Sequence, residues 1–133
     1  MTDSSKRAVS EAEGWLASAR QTLVESHDDE ARANVACAQS IHAIIRANDA
    51  LSLKFLGVKA SRHDDLPGVF SKIVRQGSLK PEDARFSNLL YKAVADKSGA
   101  DYGKKSFSIA DAEKYVGAAQ DFVSMAKARI GDG

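Results

Sequence analysis

The sequence predicts an all-α protein: an up-down helical bundle of about five helices with a long central second helix. Residues 29–55 contain no glycine or proline, the residues that most often interrupt a helix. Apolar residues recur at steps of three and four in each long segment. No segment alternates apolar and polar residues as a half-buried strand does, so no sheet is expected.

The composition is typical of a globular protein, with 44% hydrophobic and 28% charged residues. The 133 residues are most simply a single domain with one core. No apolar run approaches the roughly 18 residues of a membrane span, and residues 1–15 carry charges where a secretory signal has its apolar segment. We therefore expect a cytoplasmic protein that does not associate with membranes. Cys37 is the single cysteine, cannot form a disulfide within the chain, and is expected in the core.

The first two predicted helices form an antiparallel pair. The first covers residues 4–25, and only a short turn separates it from the second, which favours antiparallel neighbours. Asp29 stands where it can cap the second helix, and Gly57 where it can end it. The second helix carries two adjacent apolar stripes, wide enough together for the middle of a bundle. These stripes contain Cys37, Ile41, Ile44, Asn48, Leu51 and Phe55, and Ala38, His42, Ile45, Asp49 and Leu56.

Three further helices are predicted after Gly57. The third covers residues 66–74, with Asp64 or Asp65 as its cap. The fourth starts at Pro81, a residue suited to the first turn of a helix, and ends near residues 98–99.

The fifth predicted helix follows a loop over residues 100–107. Ser108 and Asp111 have the spacing of a capping box, which marks the start of a helix. Apolar residues then continue at helical spacing to residue 130, and this face includes Tyr115. We expect Tyr115 and Trp15 to be core or dimer contacts, with base stacking as the alternative.

Charge is distributed unevenly along the chain. Lys and Arg number 5 against 8 Asp and Glu in residues 1–53, 11 against 6 in residues 54–105, and 3 against 4 in residues 106–133. The net charge of +1 argues against indiscriminate nucleic-acid binding, but a basic middle third could meet phosphate groups. The alternative is a mixed, solvated surface.

Motifs for metal or nucleotide chemistry are missing from the sequence. There is no Gly-rich phosphate loop, HExxH, EF-hand or GxSxG pattern. The three histidines, His27, His42 and His63, lie on different predicted segments, and no ExxH pair marks a di-metal site. We expect no metal and no cofactor.

Four short runs occur along the chain in a characteristic order: IHAIIRANDAL at 41–51, RHDD at 62–65, LL at 89–90 followed by KSGADY at 97–102, and SIADA at 108–112. In order and spacing they resemble the HEPN family, small helical bundles of prokaryotic toxin–antitoxin and nucleotidyltransferase-associated systems. The resemblance covers residues 29–130, most of the chain. It implies a homodimer whose partner is a nucleotidyltransferase-type protein, RNA or a nucleotide.

Catalytic HEPN proteins are metal-independent ribonucleases with an Arg followed, after four to six residues, by a His near the end of the penultimate helix. The His can move the proton of the ribose 2′-hydroxyl while the Arg stabilises the phosphate. Here Lys97 and Tyr102 occupy that region, and no His follows His63. Arg20 and His27 have the spacing, but they lie at the first helix, and we treat the match as chance. The resemblance thus implies a non-catalytic or degenerate module.

His42, Arg46 and Asp49 share one side of the predicted second helix, where Asp49 could orient His42 or pair with Arg46. One interpretation is a polar site for RNA or a nucleotide, and the other is a buried hydrogen-bond network that holds the loops to the helix. The candidate catalytic residues of such a site are His42, Asp49 and His63. The candidate binding residues are Arg46, Arg62, Lys97, Tyr102, Lys104 and Lys105.

Three hypotheses about function follow. The first is a non-catalytic, homodimeric HEPN-like module that works with a partner protein or RNA. The second is a divergent metal-independent ribonuclease that uses His42 or His63 together with Arg46, Arg62 or Lys97. The third is a helical protein-interaction domain with no role for nucleic acid.

Overall fold

The computed structural model describes residues 3–26, 29–60, 62–102 and 106–131, without the side chains of His63 and Tyr102. These residues contain no strand and form five α-helices and two short 3-10 turns, so the predicted all-α bundle is confirmed. The helices are α1 (Ser4–Ser26), α2 (Glu30–Leu56), α3 (Leu66–Arg75), α4 (Ser87–Tyr102) and α5 (Ile109–Ile130), with 3-10 turns at His63–Asp65 and Pro81–Phe86.

The long second helix, α2, lies at the centre of the bundle. It packs against α1, α3, α4 and α5, and from residue 43 to residue 52 every side chain except Arg46 is buried. The two adjacent apolar stripes of α2 are therefore explained by its position, because neighbouring helices cover it on nearly all sides. α1 is its antiparallel neighbour, because Trp15 meets His42 while Glu11 meets Arg46 further along α2.

Both ends of α2 have the local chemistry that the sequence indicates. The side chain of Asp29 accepts the backbone N–H groups of Ala31 at 2.9 Å and Arg32 at 3.4 Å. Gly57 ends the helix with a φ of 79°, a left-handed conformation that glycine adopts without a steric penalty. The capping box that opens α5 is also present, with Ser108 and Asp111 exchanging hydrogen bonds.

α4 begins later than predicted, because Pro81–Phe86 forms a 3-10 turn rather than the first turn of the helix. The carboxylate of Asp83 accepts the backbone N–H of Lys80 at 2.9 Å. It also binds Arg129 of α5 through two hydrogen bonds, of 2.6 and 3.0 Å. This contact with a distant helix holds the turn against α5, and no local pattern near Pro81 indicates it.

α4 also ends later than predicted, because it continues through Gly99 to Tyr102 where the sequence suggests a loop. Lys97 and Asp101 pair across one helical turn, with 2.8 Å between Nζ and Oδ2. Asp101 also contacts His42 of α2, so the added turn is held from a neighbouring helix. Asp65 occupies the N-cap position of α3, one of the two positions predicted, but its side chain makes no cap hydrogen bond.

Asn48 is a fully buried polar residue on α2. Neither its amide nitrogen nor its amide oxygen has a hydrogen-bond partner among the described residues. A buried polar group without a partner keeps its desolvation penalty uncompensated, so this side chain opposes folding.

Replacing Asn48 by leucine, a side chain of similar size, should therefore stabilise the protein. We expect Asn48→Leu to raise the free energy of unfolding by about 1–3 kcal/mol, because the unpaired amide is removed. Urea unfolding followed by circular dichroism measures this change. A loss of stability would show that the amide has a favourable interaction in solution.

The paired carboxylate of Asp83 should make stability depend on pH. Hydrogen bonds from Arg129 lower the pKa of Asp83 below its usual value of 3.8, outweighing its burial, which acts in the opposite direction. Because the folded-state pKa is the lower one, the ionised carboxylate stabilises the fold at neutral pH. That stabilisation is lost as the pH falls below about 4 through the folded-state pKa.

We expect Asp83→Asn to lower the free energy of unfolding by about 2–3 kcal/mol at pH 7, since Asp83 is buried and charged. The difference from the parent should shrink toward zero when urea unfolding is repeated near pH 2.5, a value chosen as roughly one unit below the ordinary Asp pKa. The exposed Asp121 on the same helix as Arg129 provides the control, because Asp121→Asn should change stability by less than about 0.5 kcal/mol. A difference that stays constant with pH would contradict this account.

Candidate functional site

His42 on α2 contacts side chains from two other helices. Its Nε2 lies 3.3 Å from Oδ1 of Asp101 on α4. Its ring stacks on the indole of Trp15 on α1, with ring centroids 4.7 Å apart and planes inclined by 23°. Asp101 also accepts a hydrogen bond from Lys97. We call Trp15, His42, Lys97 and Asp101 the His42 cluster.

The structure thus places His42 and Lys97, two of the candidate residues, on the same carboxylate, that of Asp101, which is not among the candidates. Asp101 is the shared partner of the His42 imidazole and the Lys97 ammonium, and its side chain is only 17% exposed. The available signal is its position four residues after Lys97, the spacing of an ion pair on one helix. As a result, the Lys97 ammonium is paired rather than open to a phosphate.

Arg46 lies one helical turn beyond His42 and bridges two carboxylates. Its Nη1 donates to Asp49 and its Nη2 to Glu11 of α1, each at 2.6 Å. Burial opposes the charge on Arg46, but these two hydrogen bonds outweigh it and raise the pKa of the guanidinium. Of the two interactions considered for Asp49, the pair with Arg46 is therefore formed, and it is nearly buried.

The remaining candidate residues do not join this cluster in the described part of the chain. Arg62 pairs with Asp64 at 3.1 Å in the turn before α3, where both side chains are exposed. Lys104 and Lys105 lie outside the described residues, as do the side chains of His63 and Tyr102.

The two aromatic residues considered for the core have different positions. Trp15 is 39% exposed, so it is not a core residue of the single chain. Trp15 lines a shallow surface depression together with Glu11, Gly14 and Ser18. Tyr115 is buried, as predicted, and donates a hydrogen bond to Asp96. Its burial, together with this carboxylate, raises the pKa of Tyr115.

The chemistry of the other polar groups is limited. Burial raises the pKa of the Cys37 thiol to about 12, so the thiolate needed of a nucleophile does not form at neutral pH. Within the described residues, no group of three or more His, Cys, Asp and Glu side chains is placed to hold a metal ion. None of the helices described combines the length and apolar character needed to cross a bilayer.

No protein-family model matches this sequence, and no curated protein matches it. The resemblance to the HEPN family therefore depends on the four sequence runs and on the order of the helices.

Taken together, the described candidate cations already have carboxylate partners. Lys97, Arg46 and Arg62 each lie within 3.1 Å of an Asp oxygen. A phosphate could bind them only by displacing these partners or by sharing the cation with them. The arrangement is therefore suited to holding α1, α2 and α4 together, and it leaves Trp15 partly exposed.

The two carboxylates that bind Arg46, those of Asp49 and Glu11, should contribute differently to stability. We expect Arg46→Gln to lower the free energy of unfolding by about 1–3 kcal/mol, because the nearly buried Asp49 then loses its guanidinium. Glu11→Gln removes the other, half-exposed partner and should cost less than about 0.5 kcal/mol. Urea unfolding of both variants measures the difference, and equal losses would show that Asp49 does not depend on Arg46.

Proposed function

We propose that this chain is a non-catalytic, HEPN-like helical module that forms a homodimer and acts by binding a partner protein. The resemblance suggests a partner of the nucleotidyltransferase type, as in toxin–antitoxin systems. The observation that carries the proposal is the pairing of the cations in and beside the His42 cluster with carboxylates.

A ribonuclease of this type needs two free groups. One is a His that can accept the proton of the 2′-hydroxyl, and the other is a cation that can contact the phosphate. Here Nε2 of His42 is engaged with Asp101, and Trp15 covers one face of its ring. Lys97 and Arg46 are bound to carboxylates at 2.8 and 2.6 Å. The contacts therefore favour a role in assembly and binding over phosphate chemistry.

The surface around Trp15 supports binding as the activity. Tryptophan contributes more to protein interfaces than most residues when it is rigidly held and partly exposed. Stacking on His42 fixes the indole, while the shallow depression that it lines with Gly14 allows another chain to approach it. Glu11 and Ser18 border the same shallow depression and provide polar groups at its edge.

A divergent ribonuclease is the second candidate, and one observation favours it. A carboxylate beside a histidine is the usual arrangement for orienting a general base, and Asp101 stands in that position to His42. The His42 side chain is also 30% exposed, so a substrate could reach it.

An RNA cleavage assay in EDTA separates the two candidates. We expect no cleavage of a mixed-sequence 30-nucleotide RNA by the parent chain, because the described cations nearest His42, Lys97 and Arg46, are paired with carboxylates. Cleavage that persists in EDTA and disappears in His42→Ala or in His63→Ala would establish the ribonuclease and overturn the proposal.

Two binding measurements complete this test. Light scattering should give twice the 14.2 kDa of one chain. RNA binding measured by anisotropy should be weak and change little with salt, whereas extensive phosphate contact gives a steep negative salt dependence. Tight, salt-sensitive RNA binding would contradict the proposal of a protein partner and would identify RNA as the partner.

A further inference from the structure

His42 of α2 contacts Asp101 of α4 and Trp15 of α1 through one imidazole ring. Histidine is the residue type whose charge is most often used as a switch between about pH 5 and 8. We propose that His42 is a pH-dependent clasp, which holds the last turn of α4 against α1 and α2 when it is protonated and loosens that turn when it is neutral. This inference does not depend on the proposed function.

The protonated state strengthens both contacts of the imidazole. Its Nε2–H group donates to Oδ1 of Asp101, and a hydrogen bond between two charged groups is about twice as strong as one between neutral groups. Its ring also becomes a cation stacked on the Trp15 indole, at a centroid separation of 4.7 Å. A cation on the face of tryptophan is attracted by the π-electrons of the ring.

When His42 is neutral, its contact with Asp101 is weaker, while the contact between Asp101 and Lys97 remains. Lys97 binds Oδ2 of Asp101 at 2.8 Å, but both residues belong to α4. That bond stabilises the last turn as a helix without fastening it to α2. Loss of the charge on His42 therefore weakens the link between helices while the link within α4 remains. The clasp is closed at acidic pH and loosened at alkaline pH.

The described charged groups around His42 belong to α1, α2 and α4. From α4 it faces the carboxylate of Asp101 and the ammonium of Lys97, and along α2 it is followed by Arg46. Asp49 of α2 and Glu11 of α1 bind Arg46 and offset its charge. Among the described groups, three carboxylates thus accompany two cations around His42.

The clasp also couples two surfaces. Asp101 lies in the last turn of α4, at the start of the connection to α5, while Trp15 is partly exposed on α1. Because His42 contacts both, a proton on its ring changes how firmly these two surfaces are held together. A ligand or partner that touches either surface would bind with a pH dependence that originates at His42.

Trp15 is the single tryptophan of the chain, so its fluorescence reports directly on this contact. A protonated imidazole in contact with an indole quenches its emission. We expect the emission of the parent protein to fall as the pH is lowered from 8 to 5, in one step, and to be flat in His42→Gln. Replacing either of the other two histidines, as His27→Gln or His63→Gln, should leave the step unchanged.

The Asp101→Asn variant tests whether the contact with Asp101, and not only the stacking of His42 on Trp15, contributes to the pH dependence of the fluorescence. Removing the carboxylate 3.3 Å from Nε2 takes away the charged partner of the protonated imidazole, so the fluorescence step should move to lower pH. A step that persists in His42→Gln would overturn the proposal, as would a step whose midpoint is the same in Asp101→Asn.

A double-substitution cycle tests the effect on the fold, with His42→Gln, Asp101→Asn and the double variant. At pH 5.5 the two substitutions should be coupled by about fivefold or more in the ratio of folded to unfolded protein, and at pH 8 by about twofold or less. Equal coupling at both pH values would show that the contact does not respond to the proton. The Asp101→Asn fluorescence shift still tests the clasp if His42→Gln fails to fold.

Discussion

Burial of α2 on nearly every side is the constraint on which the rest of this structure depends. Within residues 43–52 every side chain except Arg46 is buried, so a polar side chain on this helix is stabilised only if it finds a partner within the protein. Arg46 does so with Glu11 and Asp49, and His42 with Asp101. Asn48 has no partner among the described residues. The candidate site is thus a consequence of placing a polar stripe on a central helix.

Local signals in the sequence predict the parts of the fold that are decided locally. The Asp29 cap, the left-handed Gly57 and the capping box before α5 all act within a few residues of their own helix end. The start and end of α4 are instead determined by contacts with other helices. Arg129 of α5 binds the turn before α4, and His42 of α2 contacts the last turn of α4. The partners of the site residues were missed for the same reason, since Glu11 and Asp101 are close to α2 only in space.

The partly exposed position of Trp15 was not predicted by helical periodicity. Its spacing on α1 puts it at the edge of the apolar face, where core and surface positions cannot be told apart by pattern alone. Stacking against His42 holds Trp15 in a partly exposed position. The same stacking makes His42, a candidate acid–base residue, a contact between α1 and α2. Within the described residues, the predicted site residues near α2 are therefore joined by ion pairs and stacking, an arrangement that favours the binding role that we propose.

Amide hydrogen exchange tests most directly whether α2 organises the bundle. If it does, the amides of residues 43–52 should exchange only through global unfolding. Their opening free energy should then equal the unfolding free energy measured with denaturant, with lower values toward the ends of α1 and α4. Exchange of the α2 amides by local opening, faster than exchange of the buried amides of α5, would show that the fold is built around another helix.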